Sequence, residues 1–178
     1  MKKILYTTLI VAFAMIFASC EKNPIPMTAV EAMAGDWYVT CDGADENGNV
    51  IEGWEDPFGV GEWHTFTYNT SANLPTEMYV SDGKDADDWY FWTYTVKVSV
   101  DLATMTFKSN GPVHNEAYDC DVTITNGKIT LNGATTPSGQ PADAIEYCIV
   151  FSDDSYVGQY WSSLKVHGYR YTGFLNDD

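Results

Sequence analysis

AGDWYVT, residues 34–40, opens the part of the chain that alternates. Trp37, Val39 and Cys41 fall on one side of this run and Tyr38 and Thr40 on the other, the period of two expected of a strand with one covered face. Gly35, just before the tryptophan, lets the preceding segment turn tightly. That segment, Thr28 to Ala34, reads as a short helical lead-in with Thr28 as N-cap and Glu31 as its capping-box partner.

Beyond Gly35 no long stretch has helical period. Strand-like runs follow instead at 37–41, 63–69, 77–81, 89–100, 104–109, 118–125, 128–131, 144–151 and 163–171, separated by Gly, Asn, Asp and Pro clusters. In 118–125, Tyr118, Cys120, Val122 and Ile124 share a face against Asp119, Asp121, Thr123 and Thr125. Asn126-Gly127 then predicts a hairpin turn. The run 89–100 would reach roughly 40 Å as one strand, so a bend or bulge is expected within it. The chain is therefore all-β, with about eight or nine antiparallel strands that close as an up-and-down barrel or stack as a sandwich. Residues 42–62 are too long for a tight connection. They form either a lid over an opening or a surface excursion with its own hairpin at Asn47-Gly48, and they carry Trp54 and Phe58 as candidate lid residues.

The start of the chain carries an address. Lys2 and Lys3 precede an apolar run from Ile4 to Ala18, which is too short to span a bilayer and ends at Phe17-Ala18-Ser19-Cys20. This ending resembles the bacterial lipobox, whose cysteine is acylated and becomes the new N-terminus, so Cys20 is the expected lipidation site. Residues 1–19 are then a signal peptide, 20–34 a lipidated tether and lead-in, and 35–178 one β domain. Glu21 rather than Asp follows the cysteine. The resemblance therefore implies an outer-membrane anchor, on the cell surface or the periplasmic face.

The formal charge is −16, and the signal contains Lys2 and Lys3 but no acid, so the mature chain is more acidic still. Such a chain is repelled by phosphates and anionic lipid surfaces, which excludes nucleic acid as a partner and leaves membrane attachment to the acyl chains. Cys41, Cys120 and Cys148 remain after Cys20, an odd number that leaves at least one thiol unpaired. No CxxC occurs and the three histidines are scattered, so no metal site is expected. The acidic runs 42–48 and 82–88 miss the calcium-loop template. No Gly-x-Ser-x-Gly occurs either, and no catalytic residue or cofactor is assigned.

Aromatic residues make up 15% of the chain and are the better lead. Tyr90, Trp92 and Tyr94 share a face of the long run, and Tyr118 and Tyr147 lie on inward faces of theirs, so these five are the candidate lining of a pocket. They either surround an apolar ligand or fill a small barrel.

At the far end of the chain Leu164, Val166, Gly168 and Arg170 share a face. Gly35-Asp36-Trp37 resembles the Gly-x-Trp of lipocalins, and Arg170 resembles the arginine that packs across that tryptophan to close the barrel. Together with the lipobox and the closing Gly168-Tyr169-Arg170-Tyr171-Thr172-Gly173-Phe174, the layout is similar to lipocalin-like lipoproteins of Bacteroidetes, the family called lipid-binding putative hydrolases. The resemblance implies an antiparallel lipocalin-like β-barrel that holds a small hydrophobic or amphipathic molecule. Three alternatives stand beside it: a surface glycan-binding module using Trp54, Trp89 or Trp161, a hydrolase on the same barrel, and a filled barrel without a cavity that serves only as a structural partner in an envelope assembly.

Overall fold

The computed structural model describes residues 27–83, 91–174 and 177. A 3-10 turn, Glu31–Met33, leads into ten strands: β1 Gly35–Ala44, β2 Val50–Glu55, β3 Trp63–Asn69, β4 Glu77–Ser81, β5 Thr95–Asp101, β6 Thr106–Lys108, β7 Val113–His114, β8 Asp121–Thr135, β9 Pro141–Phe151 and β10 Ser163–Arg170. Eight of them form a ring in the order β1-β3-β4-β5-β6-β8-β9-β10, and β10 pairs back onto β1 with every contact antiparallel. The barrel is closed. β2 extends β1 and β7 lies against β8, outside the ring.

Closure depends on the seam. β1 and β10 pair from Trp37↔Arg170 to Ala44↔Ser163, and within this run Val39 faces Gly168. A Cβ at Gly168 would stand 1.9 Å from the Tyr38 carbonyl oxygen and 2.7 Å from the Val39 Cα, so only glycine lets the two backbones approach this closely.

Three elements differ from the sequence expectation. Asn126-Gly127 is not a hairpin turn. Strand β8 runs straight through it, with Asn126 at φ 56° and the register against β9 shifting between Thr125 and Lys128, which is a bulge. Gly127 is there for contact: its missing Cβ would lie 2.4 Å from the Phe107 ring and carbonyl of β6. Residues 121–125 and 128–131 are thus parts of one strand, and the hairpin falls at Thr136–Gln140, where Thr136 N–H donates to the Gln140 carbonyl at 2.9 Å. The long run 89–100 is cut down to β5 from Thr95 because buried Asp82 takes the N–H groups of Trp92, Thr93 and Tyr94 at 3.0, 2.8 and 2.6 Å. A carboxylate that captures three successive donors removes the ladder a strand needs, and Thr93 bends away at φ 56°. In the lead-in, Thr28 supplies its carbonyl to Glu31 N–H at 3.1 Å rather than a side-chain cap.

The excursion 42–62 does form its own hairpin, β1 to β2, with Asp45 and Asn49 bonded across Asn47-Gly48. Trp37, Val39, Cys41, Met78, Val80, Val96, Val98, Ile145, Ile149, Leu164 and Val166 point inward and are at most 2% exposed, with Val30 and Met33 of the lead-in packed beneath them. Cys41, Cys120 and Cys148 are all buried unpaired thiols.

Candidate functional site

One end of the barrel is sealed. Arg170 lies over Trp37 with its guanidinium carbon 4.3 Å from the ring centre. Its Nη1 donates to the Ala34 carbonyl at 2.7 Å and its Nε to Asp143 at 3.1 Å. The indole N–H of Trp37 donates to Thr67 Oγ1 at 2.9 Å, and that hydroxyl donates to the Met33 carbonyl at 2.6 Å. Gly35 leaves room for the arginine, since a Cβ there would meet Nη1 at 2.3 Å. The Met33 and Ala34 carbonyls that the lead-in brings to this end each accept a side-chain donor.

The middle of the barrel is filled among the described residues. Tyr94 of the 91–94 segment and Tyr147 of β9 reach inward and bond hydroxyl to hydroxyl, and each also bonds Thr65 Oγ1 of β3, at 3.1 and 3.3 Å. Both rings are at most 1% exposed. Burial raises both phenols well above the usual tyrosine range, so they remain neutral. Asp82, just above them, is pushed up to about 6 by burial while its three N–H bonds pull the other way.

The opposite end is built from rings. Phe58, on the loop between β2 and β3, sits in their midst: its centroid is 5.9 Å from Phe91, 5.3 Å from Trp92, 6.1 Å from Tyr156 and 5.6 Å from Trp161. Trp63 stacks on Phe91 at 4.6 Å, Trp92 stacks on Phe151 at 4.7 Å, and Trp54 lies edge-on to Trp161 at 5.4 Å. Most of the remaining pairs are tilted or edge-to-face, the preferred geometry of aromatic quadrupoles. Three connections therefore meet here: 56–62, 91–94 and 152–162.

Local chemistry fixes each of them. Asp56 receives Val60 N–H at 2.9 Å and Gly61 N–H at 3.0 Å, folding the Phe58 loop around one carboxylate. Asp82 holds the 91–94 segment as described. Asp154 accepts the Trp161 indole at 3.1 Å and Tyr156 N–H at 2.8 Å. Asp153 accepts the Trp92 indole at 3.3 Å and the Tyr118 hydroxyl at 2.7 Å, tying two of the connections together. Gly43 of β1 lets this layer sit down, because a Cβ there would stand 2.9 Å from Trp54 Cβ and 3.3 Å from Trp161 Cε3.

The residues expected to line a pocket, and Trp54 and Phe58 expected to form its lid, are thus divided. Trp92, Trp54 and Phe58 come together at the mouth, with Trp161. Tyr94 and Tyr147 are in the interior but fill it. Tyr118 stands on the outer surface, 36% exposed, because β8 begins only at Asp121 and the alternation on which the inward placement rested does not extend back to it. Tyr90, Trp89 and Cys20 lie outside the described residues. Sequence reasoning missed Trp63, Phe91, Phe151, Tyr156 and Tyr160. The last two had a signal, since SYVGQYW places three rings in a segment that reads as a loop.

The histidines are elsewhere. His64 Nδ1 bonds Asp36 at 2.7 Å and His167 Nε2 bonds Asp42 at 2.8 Å, both on the outer wall. Neither ring has a hydroxyl or thiol partner among the described residues. No group of three or more His, Cys, Asp and Glu suited to a metal ion occurs among the described residues.

A family model described as lipid-binding putative hydrolase matches residues 22–175, and the chain belongs to that family. No curated protein matches it. Family and barrel together support a lipid-binding role.

Proposed function

We propose that this member of the lipid-binding family holds the apolar part of a small hydrophobic or amphipathic molecule among the rings of its mouth, rather than along the barrel axis. In this reading it works at the outer membrane, tethered through acyl chains on Cys20. The observation that carries the reading is the Phe58 contact set: one half-buried ring touching four others, drawn from two further connections, over a filled interior. Phe58 stands between Asp56 and Gly59, both at positive φ, on a loop held by side-chain bonds rather than a strand ladder. Such a loop swings at less cost than a paired strand. Displacing Phe58 opens an aromatic slot, and each methylene that enters it contributes about 0.8 kcal/mol. Tyr156 and Tyr160, 46% and 47% exposed, border the slot with a hydroxyl on an apolar body, as an amphipathic ligand requires.

The glycan alternative is less well supported. A sugar face stacks on coplanar exposed rings, whereas Trp54 and Phe58 meet Trp161 at 71° and 77° and Trp161 is 4% exposed. Native mass spectrometry on residues 21–178, before and after exposure to a total lipid extract, tests the proposal. Retention of a fatty-acyl or phospholipid mass supports it; a bare protein under both conditions contradicts it.

A further inference from the structure

The described residues hold one buried side-chain donor without an acceptor, and it belongs to the mouth: the indole N–H of Trp63. Trp63 is 4% exposed and stacks on Phe91, which touches Phe58 and Trp92. Three neighbouring or equivalent indoles are satisfied, Trp37 by Thr67, Trp92 by Asp153 and Trp161 by Asp154. A buried N–H left alone costs about 1–3 kcal/mol, and folds that satisfy their other donors seldom retain one without use.

The charge around the mouth restricts what the acceptor is. Among the described residues, the connections that meet at the mouth contain Asp56, Glu62, Asp82, Asp153 and Asp154 and neither lysine nor arginine. The cations of the described strands stand elsewhere: Lys97 beside Glu77, Lys165 beside Glu146, Arg170 at the sealed end, and Lys108 and Lys128 on outer positions of β6 and β8. An ionised carboxylate or phosphate brought to Trp63 would lose its hydration without meeting a countercharge among the described residues, in a protein of net charge −16. A neutral carbonyl satisfies the same N–H without that cost.

Resting on the mouth as the lipid site, we infer that the ligand is a neutral acyl lipid whose ester or amide carbonyl accepts the Trp63 indole N–H, and that free fatty acids are discriminated against. The test uses residues 21–178, which carry the whole barrel, titrated at pH 8 with 1-monooleoylglycerol and with oleate, each below its aggregation threshold. Monooleoylglycerol is expected to bind about tenfold more tightly than oleate, and Trp63→Phe to lose about tenfold toward monooleoylglycerol while changing oleate little, the worth of about one hydrogen bond. The unliganded variant is expected to melt no lower than the parent, having lost an unsatisfied donor. As a measurement independent of the variant, the Trp63 indole proton resonance should move downfield with monooleoylglycerol and not with oleate. Equal or tighter oleate binding, or an unchanged Trp63→Phe affinity, overturns the carbonyl assignment and leaves the mouth as the lipid site. Failure of the parent protein to bind either lipid overturns the mouth reading itself.

Discussion

Replacing Arg170 with alanine removes three interactions at the sealed end, and the structure sets the size of each. The guanidinium lies 4.3 Å from the Trp37 ring centre and is partly solvated, so the cation–π contact is worth about 1 kcal/mol. The ion pair with Asp143, at 31% and 22% exposure, adds about 0.5 kcal/mol. The bond from Nη1 to the Ala34 carbonyl is charge-assisted and leaves a backbone acceptor without its partner, worth about 1.5 kcal/mol. The sum is about 3 kcal/mol, which for a chain of this size lowers Tm by about 6–12 °C. Trp37→Ala, which empties a fully buried site, should cost about 3–5 kcal/mol alone. Chemical denaturation of both single variants and the double variant closes the cycle. The double variant should fall short of the sum by about 1 kcal/mol, the contact that both single changes remove. Full additivity would refute the stacking, and a fully stable Arg170→Ala would refute the whole sealed-end assignment.

Further outcomes follow from other parts of the barrel. Asp82 is raised to about 6 by burial, so between its unfolded value near 3.8 and about 6 the folded state binds the extra proton and this group's contribution to stability falls as pH rises. Denaturation at pH 7.5 and pH 5 should show the parent gaining about 1–1.5 kcal/mol on acidification relative to Asp82→Asn; a pH-independent difference between the two contradicts this. Gly168→Ala should destabilise by 3 kcal/mol or about that, since its Cβ meets backbone at 1.9 Å and the seam has to part; an unchanged melting temperature would show that the seam is looser than described. Phe58→Ser should lower the melting temperature by a few degrees while leaving lipid retention by native mass spectrometry undiminished, because it removes the ring that occupies the slot; a loss of retention would contradict the displacement of Phe58. Tyr147→Phe should cost about 1–2 kcal/mol in denaturant by leaving the Tyr94 and Thr65 hydroxyls short of a partner.

The strands were legible because alternation is a local property, and their closure as a barrel rather than a sandwich rested on the resemblance. Trp37, Val39 and Cys41, like Leu164, Val166 and Arg170, show the inward face of their strands, while the pairing of Trp37 with Arg170 came from the resemblance to lipocalins and the structure adds the register Trp37↔Arg170. What misled was punctuation with a second meaning. Asn126-Gly127 carries the residues of a turn, yet the glycine is required by Phe107, which no local reading of residues 118–131 reveals. The 89–100 run was shortened by a carboxylate at 82, again a partner outside the window. The mouth was half visible. Trp54 and Phe58 drew attention through the length of their loop, and Trp92 through its strand-like spacing. Trp63 and Phe151 read as ordinary core positions at strand ends, and only the meeting of three connections turns them into parts of one site. The interior hydroxyl cluster of Thr65, Tyr94 and Tyr147 joins residues far apart in sequence and occupies the middle of the barrel among the described residues.

The location of the bound lipid tests the central claim most directly. A monoacylglycerol carrying a diazirine in its acyl chain, photolysed in complex with residues 21–178 and mapped by peptide mass spectrometry, should label the connections 56–62, 91–94 and 152–162. Labelling confined to the outer wall around His64, Phe66 and Tyr171, or to the sealed end around Trp37, would contradict it.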